Sequence, residues 1–174
     1  MPWQMLRIGD ITMPGHRDEL PTLTKRKIQA EVIGPIYTEM VETIGEEKAQ
    51  AILDTAIRKA AVAEGRHFAA LAPGGTTSMA DFIRLYDLWT HDGALEIEVL
   101  EATDTTFDFD VTRCRYAETY REMGLGGIGH LLSCNRDGTF CTGYDPNITL
   151  ERKETIMAGA KRCTFRYSYG KPAA

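Results

Sequence analysis

Residues 95–112, LEIEVLEATDTTFDFDVT, decide the fold class that this chain is expected to adopt. Apolar and polar side chains alternate in both halves of the stretch. The apolar positions are Leu95, Ile97 and Val99 in the first half and Phe107, Phe109 and Val111 in the second. Alternation with a period of two is typical of a strand that buries one face. Because Thr103-Asp104 separates the halves, the stretch predicts a β-hairpin whose second strand has one acidic and polar face.

Before the hairpin, the spacing of the apolar residues is helical. From about Thr22 they recur every three or four positions, which predicts one buried stripe. The stripe consists of Ile28, Val32, Ile33, Ile36, Tyr37, Met40, Val41 and Ile44. Pro35 predicts a kink or a break, because proline lacks the backbone N–H. Residues 49–63 are rich in alanine and predict a second long helix, antiparallel to the first.

After the hairpin, helical and strand patterns follow one another. Residues 113–123 and 128–140 predict helices, and residues 148–152 and 162–167 predict strands. Together with the earlier elements they predict an α+β fold. We expect an antiparallel sheet of about four strands, with an N-terminal helical pair and further helices packed on it.

The length of 174 residues fits one domain that spans residues 1–174. Within it, we expect an irregular leader over residues 1–18, a mainly helical part over residues 19–90, and an α+β part over residues 91–170 that carries the functional site. The apolar leader and the alanine-rich helix favour self-association, so we also expect a homo-oligomer.

Composition restricts the partners and the compartment. The net charge is −5 and no basic cluster is present in the sequence, which argues against a nucleic-acid partner. No apolar run approaches the ~18 residues that a membrane span needs, and residues 1–10 lack the pattern of a secretory signal. We therefore expect a cytoplasmic protein without a membrane partner, whose four cysteines are reduced thiols.

The strongest candidate nucleophile is Cys114, which lies between Arg113 and Arg115 at the start of a predicted helix. Nearby positive charge and a helix N-terminus lower the pKa of a thiol and favour the nucleophilic thiolate. Cys134 and Asp137 are three residues apart and so share one helical face. A pocket lined by cysteines would raise the pKa of Asp137 by desolvation, as suits a general acid or base.

Several other residues compete for roles in the same site. Asp110 and His130 are candidate substrate-binding residues. Asp110 also competes with Asp137 as the acid or base, and its alternative is a salt bridge with Arg113 or a contact at the helix start. His130, one helical turn before Cys134, is either a general base or a surface or capping histidine. Arg113 is expected to hold a substrate carboxylate, with Arg166 as the alternative.

The cysteines themselves allow two other interpretations. Free cysteine is among the most buried residue types, so the thiols would also fit a core role. Alternatively, Cys114, Cys134, Cys163 and Asp137 would supply a zinc site with an open position. Against zinc, the sequence has no Cys-x-x-Cys and no His-x-x-x-His pair. We therefore expect neither a metal nor an organic cofactor.

Three segments of the chain resemble the L-2-amino-thiazoline-4-carboxylic acid hydrolase family. They are DVTRCRYAETYREMGL (110–125), HLLSCNRDGTF (130–140) and NITLERKETIMAGAKRCTFRY (147–167). The resemblance includes Cys114, Cys134, Cys163 and Asp137, but not Cys141.

This resemblance implies an enzyme that opens a small nitrogen-containing heterocycle or cyclic amide by attack at a C=N or C=O carbon. Cys114 would attack, Asp137 would move the proton, and Cys134 and Cys163 would shape the pocket. A looser likeness to 4-vinyl-reductase-like ligand-binding domains implies a sheet with helices on one side and a small-molecule pocket. The alternatives are therefore a non-catalytic small-molecule sensor and a metal-binding regulatory domain.

Overall fold

The computed structural model describes residues 20–170. The leader predicted for residues 1–18 lies outside the described residues. Among residues 20–170, no helix combines the length and the hydrophobicity needed to cross a membrane.

The chain begins with two long helices, which confirms the predicted N-terminal pair. Helix α1 spans Thr22–Ile44 and helix α2 spans Glu46–Ala70, and the chain turns between them at Gly45 with φ +85°. Only glycine adopts such a backbone conformation without steric cost. Pro35 does not break α1, which is continuous through it. The side chain of Pro35 is exposed, so water can take the place of the hydrogen bond that proline removes.

The face that α1 buries differs from the predicted stripe. The stripe residues with about half or more of their surface exposed are Ile28 (48%), Val32 (61%) and Ile36 (53%). The buried residues are Arg26, Ala30 and Gly34 instead. Small side chains let two elements approach closely, and a Cβ on Gly34 would already touch Leu125 at 3.3 Å. The prediction was wrong here because it counted apolar residues and ignored the small ones.

The remaining elements follow in chain order. They are α3 (Met79–Leu85), α4 (Asp87–Thr90), β1 (Leu95–Ala102), β2 (Thr106–Cys114), α5 (Arg115–Glu122), a π-helical stretch (His130–Cys134), α6 (Asn135–Tyr144), β3 (Ile148–Glu151) and β4 (Cys163–Tyr169). The hairpin predicted from residues 95–112 is therefore present as β1 and β2. The helix predicted to begin at Arg113 begins at Arg115, because β2 continues through Cys114.

Within the described residues, the strands form one four-stranded sheet in the order β1-β2-β4-β3. Every neighbouring pair is antiparallel. This arrangement, with helices packed on the sheet, confirms the predicted α+β fold class. Strand β2 lies against β4 with Phe109 opposite Phe165 and Val111 opposite Cys163.

The inner face of the sheet forms the main core with the helices. Its buried strand residues are Phe107, Phe109, Val111, Cys163, Phe165 and Tyr167, and they pack with Phe82, Tyr86 and Phe140 from the helices. Complete burial of a large apolar side chain contributes about 1.5–3 kcal/mol. Helix α6 is held against α2 at two glycines: a Cβ on Gly65 would collide with the carbonyl oxygen of Phe140, and one on Gly143 with that of Val62. This close crossing fixes the position of α6 and of the site residues that it carries.

Candidate functional site

A cavity lies between the inner face of the sheet and the helices. The volume of the cavity is about 50 Å³. Its apolar lining includes Tyr86, Trp89 and Phe165, and its polar lining includes thiols, a carboxyl group and guanidinium groups. A mostly apolar cavity with a few convergent polar groups is typical of a site for a small molecule.

The structure brings the four predicted catalytic side chains together in this cavity. Cys114, Cys134, Asp137 and Cys163 all line it. Cys114 ends β2, and Cys163 begins the neighbouring strand β4. Cys134 ends the π-helical stretch, and Asp137 lies in the first turn of α6. The antiparallel pairing of β2 with β4 and the fixed position of α6 explain why residues distant in sequence meet here. Their chemical roles stay predictions.

Cys114 occupies the N-cap position of α5 without a side-chain capping hydrogen bond, and the backbone N–H groups of Tyr116 and Ala117 close to its sulfur lower the pKa of the thiol. Burial nevertheless raises the pKa of the Cys114 thiol to about 11, and the two donors offset only part of this effect. The direction is opposite to the one expected from its arginine neighbours. The reason is that Arg113 pairs with Glu118 and Arg115 donates to the carbonyl oxygen of Asp92, so neither arginine serves the thiol.

The other two cavity thiols are also held in the protonated form. Burial, followed by the charge of Asp137, raises the pKa of Cys134 to about 12. Burial raises the pKa of Cys163 as well, although the backbone N–H of Ile156 donates to its sulfur at 3.2 Å. At neutral pH a thiolate in this cavity therefore forms only when a base accepts the proton.

Asp137 is the carboxyl group in the lining of the same cavity. Burial raises its pKa, and the charge of Arg152 opposes the rise. Arg152 Nη1 lies 2.5 Å from Asp137 Oδ2, and Arg152 Nη2 donates to the carbonyl oxygen of Cys134 at 2.8 Å. The Arg152 guanidinium also lies over the ring of Phe165, 5.0 Å from its centroid. The carboxyl group is thus held in one orientation at the cavity wall.

Two further arginines line the cavity, and sequence reasoning missed both of them. Arg26 of α1 and Arg136 of α6 are buried, and both donate to Glu64 of α2. The distances to Glu64 Oε2 are 2.8 Å from Arg26 Nη2 and 2.7 Å from Arg136 Nη2. Burial alone would raise the pKa of Glu64, but the charges of Arg26 and Arg136 outweigh it and hold the pKa at about 2. One sequence feature could have indicated that Arg26 is buried. Ala30 and Gly34 follow it at intervals of four, so the three residues share one face of the helix.

The remaining predicted site residues lie outside the lining of the cavity. Arg113 is exposed and pairs with Glu118 at 2.9 Å and with Glu96 at 3.4 Å. His130 is exposed as well. Asp110 and Arg166 pair with each other at 2.9 Å.

Asp110 takes the salt-bridge role that was the alternative to proton transfer, but with different partners from the expected one. Its carboxylate binds Arg166 and Arg162, each at 2.9 Å, rather than Arg113. Asp110 alternates with the inward-facing Phe109 and Val111, so its side chain lies on the other face of the sheet from the thiols.

Metal coordination was the other interpretation of the thiol cluster. Across residues 20–170, no three histidine, cysteine, aspartate or glutamate side chains are grouped as the ligands of one metal ion. What the cavity offers is a set of protonated thiols, one oriented carboxyl group with a raised pKa, and guanidinium groups. This set suits nucleophilic attack with proton transfer.

Comparisons with known proteins identify a family and a similar fold. The sequence profile of the L-2-amino-thiazoline-4-carboxylic acid hydrolase family matches residues 25–167. No curated protein matches the chain. Twelve chains among the solved structures match it. One is the phenol-responsive sensory domain of the transcription activator PoxR with phenol, with a TM-score of 0.51 and 14% identity, over 79% of this chain and 73% of that chain. At this identity the similarity concerns the fold alone.

Proposed function

The chain belongs to the L-2-amino-thiazoline-4-carboxylic acid hydrolase family, and we propose that it opens a small nitrogen-containing heterocycle or cyclic amide by hydrolysis. One observation carries the proposal: Cys114, Cys134, Asp137 and Cys163 line the same cavity. The reaction needs a nucleophile, a group that moves a proton, and a cavity that excludes bulk water. In our proposal these residues supply all three, and no organic cofactor takes part.

The first half of the proposed reaction forms a covalent intermediate. Asp137, as a carboxylate, accepts the proton of the Cys114 thiol. The sulfur then bonds to the C=N or C=O carbon of the ring, and the π electrons of that double bond move to its nitrogen or oxygen. When the tetrahedral adduct collapses, the bond from this carbon to the leaving ring atom breaks. Asp137 returns its proton to that atom, and the opened substrate stays attached to Cys114.

The second half releases the product and consumes one water molecule. Asp137 accepts a proton from water, whose oxygen attacks the same carbon, and the carbon–sulfur bond breaks. The sulfur leaves as a thiolate and is reprotonated by Asp137, which restores the starting state. The N–H groups of Tyr116 and Ala117 close to the sulfur lower the pKa of the Cys114 thiol and so stabilise each thiolate that forms.

The pKa values explain why the Asp137 carboxyl group can both accept a proton from the thiol and return it. A thiol with a pKa of about 11 is almost fully protonated at neutral pH, so Cys114 needs a base. Burial raises the pKa of Asp137 and so reduces the difference between this pKa and that of the Cys114 thiol. A smaller difference makes each proton transfer less unfavourable. Arg152 keeps the carboxylate form accessible by opposing the rise.

The test is hydrolysis of L-2-amino-thiazoline-4-carboxylate, followed by chromatography of the opened product. We expect turnover by the wild type and none by Cys114→Ser, because a serine hydroxyl in the same place is a much poorer nucleophile. The matched control is Cys141→Ser, since Cys141 is buried in the main core and outside the cavity lining. Circular dichroism checks that both variants are folded. Full activity of Cys114→Ser would remove Cys114 from the mechanism.

A second candidate function is a non-catalytic small-molecule sensor. The similarity in fold to a phenol-responsive sensory domain solved with phenol favours it. Such a sensor would be stabilised against heat by a ligand that it does not convert. Thermal unfolding with the thiazoline carboxylate and with phenol, together with product analysis, separates the two functions. Stabilisation by either compound without product formation would favour the sensor.

A further inference from the structure

Taking the substrate class from the proposed function, we propose that Arg26 and Arg136 form an anion subsite in the cavity wall that binds the carboxylate of the substrate. The two guanidinium groups come from α1 and α6, and both line the thiol cavity. They also line a second cavity next to it, with a volume of about 20 Å³, whose wall includes Glu64. The subsite thus lies where the two cavities share a wall.

The two arginines of the subsite carry two positive charges and, among the described residues, share a single carboxylate, so one positive charge is not neutralised. Arg26 and Arg136 share Glu64, and their side chains are only 5% and 9% exposed. The carboxyl group next in sequence, Asp137, is already paired with Arg152. A buried charge is costly unless a counter-ion neutralises it. One ligand carboxylate would balance the cluster.

Within the described part of the chain, the hydrogen bonds leave Arg136 with a donor that has no acceptor. Arg136 Nε is buried and has no hydrogen-bond partner among residues 20–170. Arg136 Nη2 already donates to Glu64, and Arg26 donates to Glu64 and to Gln29. Buried donors in native proteins are normally satisfied, so an orphan donor in a cavity wall marks a place for a ligand acceptor. A guanidinium is well suited to a carboxylate because its N–H groups lie in one plane and donate in parallel.

The position of the subsite also gives the substrate an orientation. Arg136 directly precedes Asp137 on α6, and the thiols line the same cavity. A carboxylate held at the arginines would leave the ring of a small substrate inside the thiol-lined space. Arg113, the carboxylate-binding residue expected from the sequence, is exposed and engaged by two glutamates. Arg26 and Arg136 therefore take its place in our proposal.

The experiment compares two ligands that differ only in charge, L-2-amino-thiazoline-4-carboxylate and the corresponding carboxamide. Calorimetric titration of the full chain with Cys114→Ser measures binding without turnover. We expect the carboxylate to bind about tenfold more tightly or better, the effect of one charged hydrogen bond. Adding Arg136→Gln should abolish this preference. Adding Arg113→Gln, the surface control, should leave the preference intact.

A second variant gives an effect of opposite sign. Glu64→Gln removes the acid that competes with the ligand for both arginines, so the carboxylate should bind about tenfold more tightly than to the parent protein. Equal affinity for carboxylate and carboxamide in the parent protein, or no loss of preference in folded Arg136→Gln, would overturn the subsite. If the protein prefers the carboxylate but the wild type does not hydrolyse it, the proposed subsite stands and the proposed hydrolase function is wrong. If the wild type hydrolyses the carboxylate but the parent protein does not prefer it over the carboxamide, the hydrolase function stands and the subsite is wrong.

Discussion

The Asp137 carboxyl group is subject to two opposing effects, burial that raises its pKa and the charge of Arg152 that lowers it. In the proposed reaction the carboxylate form is the active one. Activity should therefore fall as the pH decreases through a pKa that lies above the ordinary 3.8. Asp137→Asn should lower kcat by about a hundredfold or more and remove this acid limb of the pH–rate profile.

Arg152→Gln tests the role of Asp137 by changing its pKa instead of removing it. Without the Arg152 guanidinium, only the charges of Arg136 and Arg26 still oppose the effect of burial on the pKa of Asp137, so the acid limb should move to higher pH. The limb position is the decisive readout, because a merely structural change would lower the rate without moving it. Lys153→Gln is the control, since Lys153 is exposed and pairs with Glu151 at the surface. An acid limb that stays in place in folded Arg152→Gln would mean that Asp137 is not the titrating group.

Glu64 connects the arginine pair to stability. Its pKa in the folded state is about 2, against an ordinary value of 4.5. A lowered carboxyl pKa stabilises the fold above pH 4.5, and this stabilisation is lost as the pH falls towards 2. The shift corresponds to about 3 kcal/mol at neutral pH. Urea unfolding of wild type and Glu64→Gln should show a stability difference at pH 6 that shrinks by more than half at pH 3.

The control for this measurement is Glu39→Gln, which neutralises an exposed acid of α1. Its stability difference from wild type should be small at both pH values, because exposed charges contribute little. A difference between wild type and Glu64→Gln that is equal at pH 6 and pH 3 would show that the ion pairs of Glu64 do not stabilise the fold.

At the residue scale, sequence reasoning selected thiols and the acid that meet in one cavity, and it missed the arginines. The three thiols and Asp137 are chemically distinctive residue types grouped in one region. Arg26 lies in the run Lys25-Arg26-Lys27, which is typical of a solvated helix face. Its burial depends on the packing of α1, α2 and α6, and no local pattern records that packing.

Among the elements, α6 allows the sharpest test because one substitution has opposite expected effects at two of its positions. A Cβ at Gly143 would collide with the backbone of α2 at Val62, so Gly143→Ala should destabilise the fold by about 1–3 kcal/mol. A Cβ at Gly138 meets Leu150 at an ordinary 3.7 Å. Gly138→Ala should therefore stabilise the helix by up to about 1 kcal/mol.

Urea unfolding of the two alanine variants measures both effects. Because α6 carries Arg136 and Asp137, we also expect Gly143→Ala to lose activity, and Gly138→Ala to retain it. Equal stability of the two variants would mean that the glycine crossing does not hold α6 against α2.

Predictions of helices and strands succeeded where they depend on a local sequence pattern. They failed where the buried face depends on packing between elements. The hairpin follows from alternation alone, but only β2 buries its apolar positions Phe107, Phe109 and Val111, whereas Val99 of β1 stays 50% exposed. The buried face of α1 follows from its small residues, which allow close approach but add little to an apolar count. The π-helical turn at His130–Cys134 could not be predicted either, because its extra residue per turn leaves no periodic pattern in five residues.

For the molecule as a whole, the exposed face of α1 bears on self-association. Ile28, Val32 and Ile36 form one exposed apolar stripe at intervals of four. The charges on α1 are asymmetric: Lys25 and Lys27 lie in its first half together with one exposed acid, Glu31, and Glu39 and Glu42 lie in its second half. A two-fold antiparallel pairing of α1 with a second copy would cover both stripes and place opposite charges near each other.

We therefore expect a homodimer, in which Val32 lies close to the two-fold axis. Light scattering after size exclusion should give twice the chain mass of 19.4 kDa. Val32→Glu should give a monomer, because two glutamates would meet at the axis without a counter-ion. Thr38→Glu adds the same charge at an exposed position of α1 away from the stripe, so it should stay dimeric. Since the cavity is lined by residues of one chain, monomeric Val32→Glu should still bind the thiazoline carboxylate. A wild type that elutes as a monomer, or a Val32→Glu variant that stays dimeric, would contradict pairing through α1.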